Sequence, residues 1–395
     1  MRNKRYYLII MKRKTLLTVM GGLMAAAVVG QVKEDFKSLS SNQYGHEYPM
    51  ANSEGYVRDR IYAPEAQMVE LVINGIHFEL TRDAEGYWTG DSTQPFDEGN
   101  HYYGIAIDGV EVPDPNSTFI YGSGAERTQI ELPAHDDWKY ALRDVEHGQV
   151  REIYYQSTVT GQQRRMYVYT PPRYDQDLTV SYPVLYLQHG YTENETGWSH
   201  QGRCGWIMDN LLADGKALPF IIVMENGQIS HSGNQADRPK VFEVAFTEFP
   251  QILKEDIIPF VESHFRTMAD AEHRALAGLS MGGMQTRTIS LQTPQLFSQI
   301  GIFSGGVISL DDLAKHPDFA PNNKLTFVSY GSREVHRGEE AKQQAGPFGI
   351  GDPKAVVDEV CAAGLNAKYY ESPNTAHEWQ TWRRSLYEFA QLLFR

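Results

Sequence analysis

Hydrophobic and polar positions divide this chain into two regimes. Between about Tyr48 and Pro133 the runs are short and alternating: Tyr56 to Tyr62, Val69 to Ile73, Ile76 to Leu80, Tyr87 to Thr89 and His101 to Ile107. Asn74-Gly75 and Asp108-Gly109 stand between runs where a two-residue hairpin turn requires positive φ. Short strands at this spacing predict a small all-β, immunoglobulin-like sandwich. A polar and aromatic stretch, residues 136–150, reads as a linker. Beyond it, Arg151 to Ser157 and Arg164 to Thr170 predict two antiparallel strands, and then the pattern changes. Tyr182 to Gln188, Phe220 to Met224 and Ala275 to Ala277 are continuous apolar runs, as expected of strands covered on both faces, and Gln299 to Phe303, Leu325 to Tyr330 and Ala367 to Glu371 read as further strands. Helical periods fall between them at Gly205 to Gly215, Phe249 to Phe265 and Ala355 to Ala363. Residues 151–395 are therefore expected to form a doubly wound, mostly parallel α/β sheet.

The first 30 residues stand apart. Lys12, Arg13 and Lys14 precede an apolar stretch from Leu16 to Val29, with small residues up to Gly30. That layout predicts a secretory signal peptide cleaved near Gly30 or Ala27; the apolar run is shorter than the ~20 residues a membrane span needs. The expected divisions are thus 1–30 signal peptide, 31–135 sandwich, 136–150 linker and 151–395 catalytic domain, with a secreted or periplasmic mature protein.

Charge narrows the partners. A formal net charge of -14 repels phosphate backbones and anionic membranes, so neither nucleic acid nor, after cleavage of the leader, membrane is expected as a partner. Two cysteines, Cys204 and Cys361, leave a disulfide and free thiols both open, and no zinc-type Cys/His spacing occurs, so no metal or cofactor is expected.

Candidate chemistry centres on Gly278-Leu279-Ser280-Met281-Gly282, a Gly-x-Ser-x-Gly sequence between an apolar strand and a helical run. A serine on such a turn is lifted out of the sheet, and glycine is needed where the turn brings backbone close. The general base is expected after the last strand, where Ser372-Pro373-Asn374-Thr375-Ala376-His377 places His377; His189, His231 and His336 are loop competitors, and His273 precedes the elbow strand at the opposite sheet end. The acid is expected after Leu325 to Tyr330, at Glu334, with Glu339 or Asp352 next. Backbone N–H groups of Met281 and Tyr191 are the candidate oxyanion donors. Trp198 and Trp379, with Trp206 and Tyr191, stand near these loops as candidate substrate contacts. In the first region Trp88 and Tyr102 read as stacking platforms or, with more weight, as sandwich core.

Several segments carry a family resemblance. Leu187-Gln188-His189-Gly190, Glu195-Thr196-Gly197-Trp198, Asp209 to Lys216, Val223-Met224-Glu225-Asn226-Gly227, Asp256 to Glu262 and Ala277 to Gly283 resemble the putative esterases related to esterase D. In front, Ala63-Pro64-Glu65-Ala66, Glu85-Gly86-Tyr87-Trp88, Gly99 to Tyr103 and Asp108 to Pro115 resemble family 48 carbohydrate-binding modules. Together they resemble carbohydrate esterase family 1, which implies an α/β-hydrolase with Ser280 as nucleophile, His377 as base, and Tyr191 and Met281 as oxyanion donors. The family commonly has aspartate where Glu334 stands. His377-Glu378-Trp379 is similar to the His-x-Trp of feruloyl esterases. The resemblance implies a secreted esterase acting on feruloyl esters of plant xylan; acetylxylan deacetylation and a non-catalytic carbohydrate-binding protein are the competing expectations.

Overall fold

A computed structural model describes residues 32–229, 238–336 and 351–395. The expected leader, His231 and Glu339 lie outside the described residues. Among the described residues no helix is long and apolar enough to cross a membrane.

The first region forms two antiparallel sheets around one core. One sheet runs in the order Lys37–Ser38, Met50–Ala51, Val57–Tyr62, Tyr87–Asp91, Thr81–Arg82. The other runs Phe119–Gly122, Ala125–Leu132, Gly99–Ile107, Val69–Ile73, Ile76–Glu79, with Val110–Val112 pairing onto Gly99–Ile107. Val57 and Trp88 from one sheet meet Leu71, Tyr103, Ile105 and Ile130 from the other in a single cluster. Period-two alternation made the central strands legible. Phe119–Gly122 and Ala125–Leu132, which no short-run pattern marks, form a hairpin turning at Ser123-Gly124, both at positive φ.

The second region is an eight-stranded sheet: β1 (Gln149–Gln156), β2 (Gln163–Thr170), β3 (Val184–Gln188), β4 (Ile221–Glu225), β5 (Arg274–Leu279), β6 (Gln299–Phe303), β7 (Leu325–Gly331) and β8 (Ala367–Ser372). Their spatial order is β1-β2-β4-β3-β5-β6-β7-β8. Pairing is antiparallel on both sides of β2 and parallel from β4 onward. Every residue of β3, β4 and β6 is buried, because helices cover both faces. Leu185, Leu187, Ala275 and Ala277 face one core with α1 (Cys204–Ala213) and the C-terminal helix, while Tyr186, Leu276 and Ile300 face the other with the helical run 249–264. Successive strand residues alternate between the two cores, as a strand's geometry requires.

The segment between the regions departs from the expected linker. It holds a short 3₁₀ turn, Asp137–Lys139, and its Tyr140 is buried against Arg383 and Arg203. Asp136 accepts two hydrogen bonds from Arg384, both 2.8 Å. Arg383 and Arg384, buried on the C-terminal helix, explain this: each needs an anion, which Glu131 supplies to Arg383 and Asp136 with Glu98 supplies to Arg384. Cys204 is buried, Cys361 exposed, and both are free thiols.

Candidate active site

β5 ends at Leu279, and α3 (Met281–Gln292) begins one residue later, after α2 (Arg238–Thr247) on the same side of the cleft. Ser280 alone makes the turn, at φ 51° and ψ -115°, a conformation that costs a non-glycine residue roughly 1–3 kcal/mol and persists only where its surroundings dictate it. The flanking glycines show why. A Cβ at position 278 would lie 2.5 Å from the carbonyl carbon of Gly282, and one at 282 would lie 2.6 Å from the carbonyl oxygen of His189. No larger side chain fits without moving backbone.

The strand ends beyond Ser280 bring two loops over it. His377, in the turn after β8, places Nε2 2.9 Å from Ser280 Oγ. Its Nδ1 is 2.7 Å from Glu334 Oε2. With Nδ1–H donating to that carboxylate, Nε2 is left as the acceptor for the serine hydroxyl. Glu334 is fixed by its other oxygen, which accepts from Gly331 N–H at 2.7 Å and from the Ser304 hydroxyl at 2.8 Å. Trp382 packs edge-on against the His377 ring, 5.1 Å between centroids, and its Nε1–H donates to Ser304 at 3.2 Å. The loops after β7 and β8 are themselves joined, by Arg333 N–H to Thr375 O at 2.9 Å and Ser332 N–H to Ser372 O at 2.9 Å. Sequence reasoning did not pick out Ser304 or Trp382; a serine one residue past a strand end is the only signal it offers.

Other candidates lie elsewhere. His189 is buried, with Nδ1 against Gly190 O at 2.7 Å and Nε2 against Asn226 Oδ1 at 3.1 Å, so it braces the loop after β3. His273 bonds Asp270 before β5, away from the site. Asp352 caps α4 (Pro353–Ala362) by accepting from Lys354 and Ala355 N–H groups. Met281 opens α3, so its N–H has no intrahelical carbonyl, and Tyr191 lies in the turn facing Ser280.

Two clefts flank the serine. One, of about 660 Å3, is lined by Tyr191, Phe242, Phe246, Met284 and Val307 beside Ser280 and His377. Phe242 and Phe246 stack with ring centroids 6.2 Å apart, and Tyr191 packs on Phe242 at 5.0 Å. The other, about 550 Å3, is more polar and built jointly: Asn74, Tyr102 and Arg127 come from the sandwich, Tyr191, His377 and Trp379 from the second region. Trp198 corrects the sequence reading. Trp198 is 0% exposed, packed edge-on against Trp379 and Phe303, with Nε1–H on Gln188 O; an indole with no open face cannot meet a substrate. Trp379 lines the polar cleft yet is 3% exposed. Trp206 faces solvent beside Arg203 on α1. Trp88 is sandwich core, whereas Tyr102 leaves the sandwich and reaches the second region.

The profile of the putative esterase family matches residues 157–392, the stretch that carries all of these groups except the sandwich wall. The chain belongs to that family. An endo-1,4-beta-xylanase/feruloyl esterase from Xylanibacter ruminicola is 40% identical to this chain over 391 residues, covering 97% of the chain and 51% of the relative. Endo-1,4-beta-xylanase Y of Acetivibrio thermocellus is 30% identical over 185 residues, 44% of the chain and 15% of the relative. The chain thus spans about half the length of the first relative and far less of the second. A ferulic acid esterase of carbohydrate esterase family 1 from Anaeromyces mucronatus aligns with 66% of this chain and 96% of its own chain, at TM-score 0.53 and 23% identity. The enterobactin esterase of Shigella flexneri aligns with 86% and 94%, at TM-score 0.59 and 15% identity. At these identities the structures speak for the α/β-hydrolase fold alone.

Proposed function

We propose that the chain is an exported serine esterase that releases feruloyl or related hydroxycinnamoyl groups from plant xylan. Ser280 Oγ attacks the ester carbonyl while His377 Nε2 takes its proton; Glu334 holds the imidazole in the required tautomer and stabilises the cation. The N–H groups of Met281 and Tyr191 receive the oxyanion, each such donor being worth about 10²–10³ in rate. As the ester C–O bond breaks, His377 returns the proton to the departing sugar oxygen, which leaves as the hydroxyl; the acyl-enzyme is then hydrolysed by water that His377 activates in the same way.

The observation that carries the substrate reading is the asymmetry of the two clefts. A slot walled by Phe242, Phe246, Tyr191 and Met284 suits a planar aromatic acyl chain by stacking and apolar burial. An acetyl group would leave most of about 660 Å3 unfilled. The opposite cleft, with Asn74, Asn100 and Arg127, offers hydrogen bonds to sugar hydroxyls. The name of the 40% identical relative supports the same substrate, and Lys12 to Lys14 before an apolar run supports export. The deciding experiment compares ferulate release from methyl ferulate and feruloylated arabinoxylan with acetate release from acetylated xylan. Preference for acetate by tenfold or more in kcat/KM would replace this reading with acetylxylan deacetylation.

A further inference from the structure

One buried acid beside the site takes no part in the reaction above. Glu193 stands two residues after Tyr191, and its two oxygens face in different directions. Oε2 accepts the N–H of Gly190 at 3.1 Å. Oε1 is 3.0 Å from the hydroxyl of Tyr102, which belongs to the sandwich strand Gly99–Ile107. That hydroxyl also accepts from Trp379 Nε1–H at 3.4 Å. The ring can reach across because Gly122 lies beneath it; a Cβ there would be 2.4 Å from Tyr102 Cε1. A second bond crosses between the regions at the same turn, from Gly124 N–H to Thr192 O at 2.7 Å. Thr192 itself sits at φ 67° and donates its N–H to Gln228 Oε1 at 2.8 Å. A β-branched residue in the left-handed region stays there only when its neighbours hold it.

We propose that Glu193 and Tyr102 are positioning residues: the Glu193 carboxyl, anchored by Tyr102, holds the Gly190 N–H, and the Glu193 N–H holds Gly190 O at 3.3 Å, so that the Tyr191 N–H of the peptide between them aims at the developing oxyanion. The sandwich then serves the chemical step itself and not only the polysaccharide. This rests on the role given to Tyr191 in the proposed function. Oxyanion donors act through preorganisation, and small misplacements of such groups cost orders of magnitude in rate. A neutral carboxylic acid suits both neighbours: its carbonyl oxygen accepts from Gly190 while its O–H shares a hydrogen bond with Tyr102. Consistent with that form, burial pushes Glu193 up to about 7, against the pull of the Gly190 N–H, the Tyr102 hydroxyl and the nearby His377.

The test uses the full chain and methyl ferulate, a probe too short to depend on sugar contacts in the polar cleft. Glu193→Ala is expected to lower kcat at least tenfold with KM changed less than twofold. Glu193→Gln, whose amide offers Gly190 an acceptor and Tyr102 a donor, is expected to recover kcat to within about threefold of the parent. Tyr102→Phe removes one oxygen and should lower kcat severalfold, again with KM held. Unchanged kcat in Glu193→Ala, or a glutamine variant as impaired as the alanine one, overturns the proposal. If Glu193→Ala does not fold, Tyr102→Phe decides alone, and full kcat there overturns it. Ser280→Ala is the separate control: turnover in that variant would overturn the serine mechanism, whereas a fully active Tyr102→Phe leaves that mechanism standing.

Discussion

Arg383, buried on α5 (Trp379–Ala390), makes two hydrogen bonds to Glu131 at the end of the last sandwich strand, 2.6 and 3.0 Å long. Arg203 approaches the same carboxylate at 3.0 Å. α5 begins two residues after His377, so this pairing ties the loop bearing the base to the sandwich. Removing the anion leaves buried Arg383 and half-buried Arg203 without a counter-ion, and breaking a buried ion pair typically costs about 3–5 kcal/mol. Glu131→Gln is therefore expected to lower the unfolding midpoint sharply in denaturant titration. The pH dependence follows from the same contacts. Burial raises the Glu131 carboxyl, but Arg383 and Arg203 outweigh it and leave it below the ordinary value of 4.5. A depressed acid stabilises the fold above its unfolded value, and that contribution is lost as pH falls through the lower folded value. The parent should lose stability below about pH 4.5 more steeply than Glu131→Gln; parallel slopes would contradict the assignment.

Glu334 and Ser304 give a graded test of the catalytic chain. Glu334→Gln keeps the shape but presents a neutral group to Nδ1 and permits the wrong imidazole tautomer; a loss of about 10³–10⁴ in kcat is expected, by analogy with the aspartate of serine proteases. Ser304→Ala removes one of two hydrogen bonds holding the far oxygen of Glu334. One hydrogen bond to a charged group is worth about 1.5–3 kcal/mol, so a roughly 10–100-fold fall in kcat with little change in KM should follow. Steady-state kinetics on methyl ferulate separates the two sizes of effect.

Much of this site was legible because its residues announce themselves by position. Ser280, Glu334 and His377 follow β5, β7 and β8 in the sheet's second half, and loops at strand ends converge. What was not legible is how side chains turn within those loops. Trp198 and Trp379 have the composition of substrate contacts but pack edge-on against each other with centroids 5.4 Å apart, because a buried indole is also what fills the space under β3. Arg383 and Arg384 were silent for the opposite reason. Arginine pairs on a helix normally face water, and only the long-range partners Glu131, Asp136 and Glu98 make burial tolerable here. Tyr102 was weighted as core, and its reach to Glu193, 91 residues on, has no local signature.

If the proposed substrate is right, Phe242 and Phe246 should discriminate between acyl groups. Both are on α2 and stack at an interplanar angle of 22°, forming one wall of the apolar slot. Phe242→Ala should reduce kcat/KM for methyl ferulate by about 10–100-fold, the range expected for losing one aromatic contact in a specificity pocket. Turnover of a short acetyl ester, which does not reach the wall, should change less than threefold. Equal losses on both esters would mean that the helix supports the site instead of reading the substrate.

Glu193 makes a stability prediction of opposite sign to Glu131. Its carboxyl is pushed up to about 7 from an ordinary 4.5, chiefly because it is fully buried. A raised acid binds its proton more tightly in the folded state, so folding is favoured most below pH 4.5 and that contribution declines as pH rises through about 7. Among the groups around it, the Gly190 N–H, the Tyr102 hydroxyl and His377 all favour the anion, yet together they do not offset desolvation. Glu193→Gln has no proton to lose and keeps its hydrogen-bonding shape. The unfolding free energy of the parent relative to Glu193→Gln should therefore fall between pH 5 and pH 8, measured by urea titration at fixed ionic strength. A difference that stays constant across that window would mean the acid titrates near its ordinary value, and that the buried turn at Gly190 is held by an anion instead.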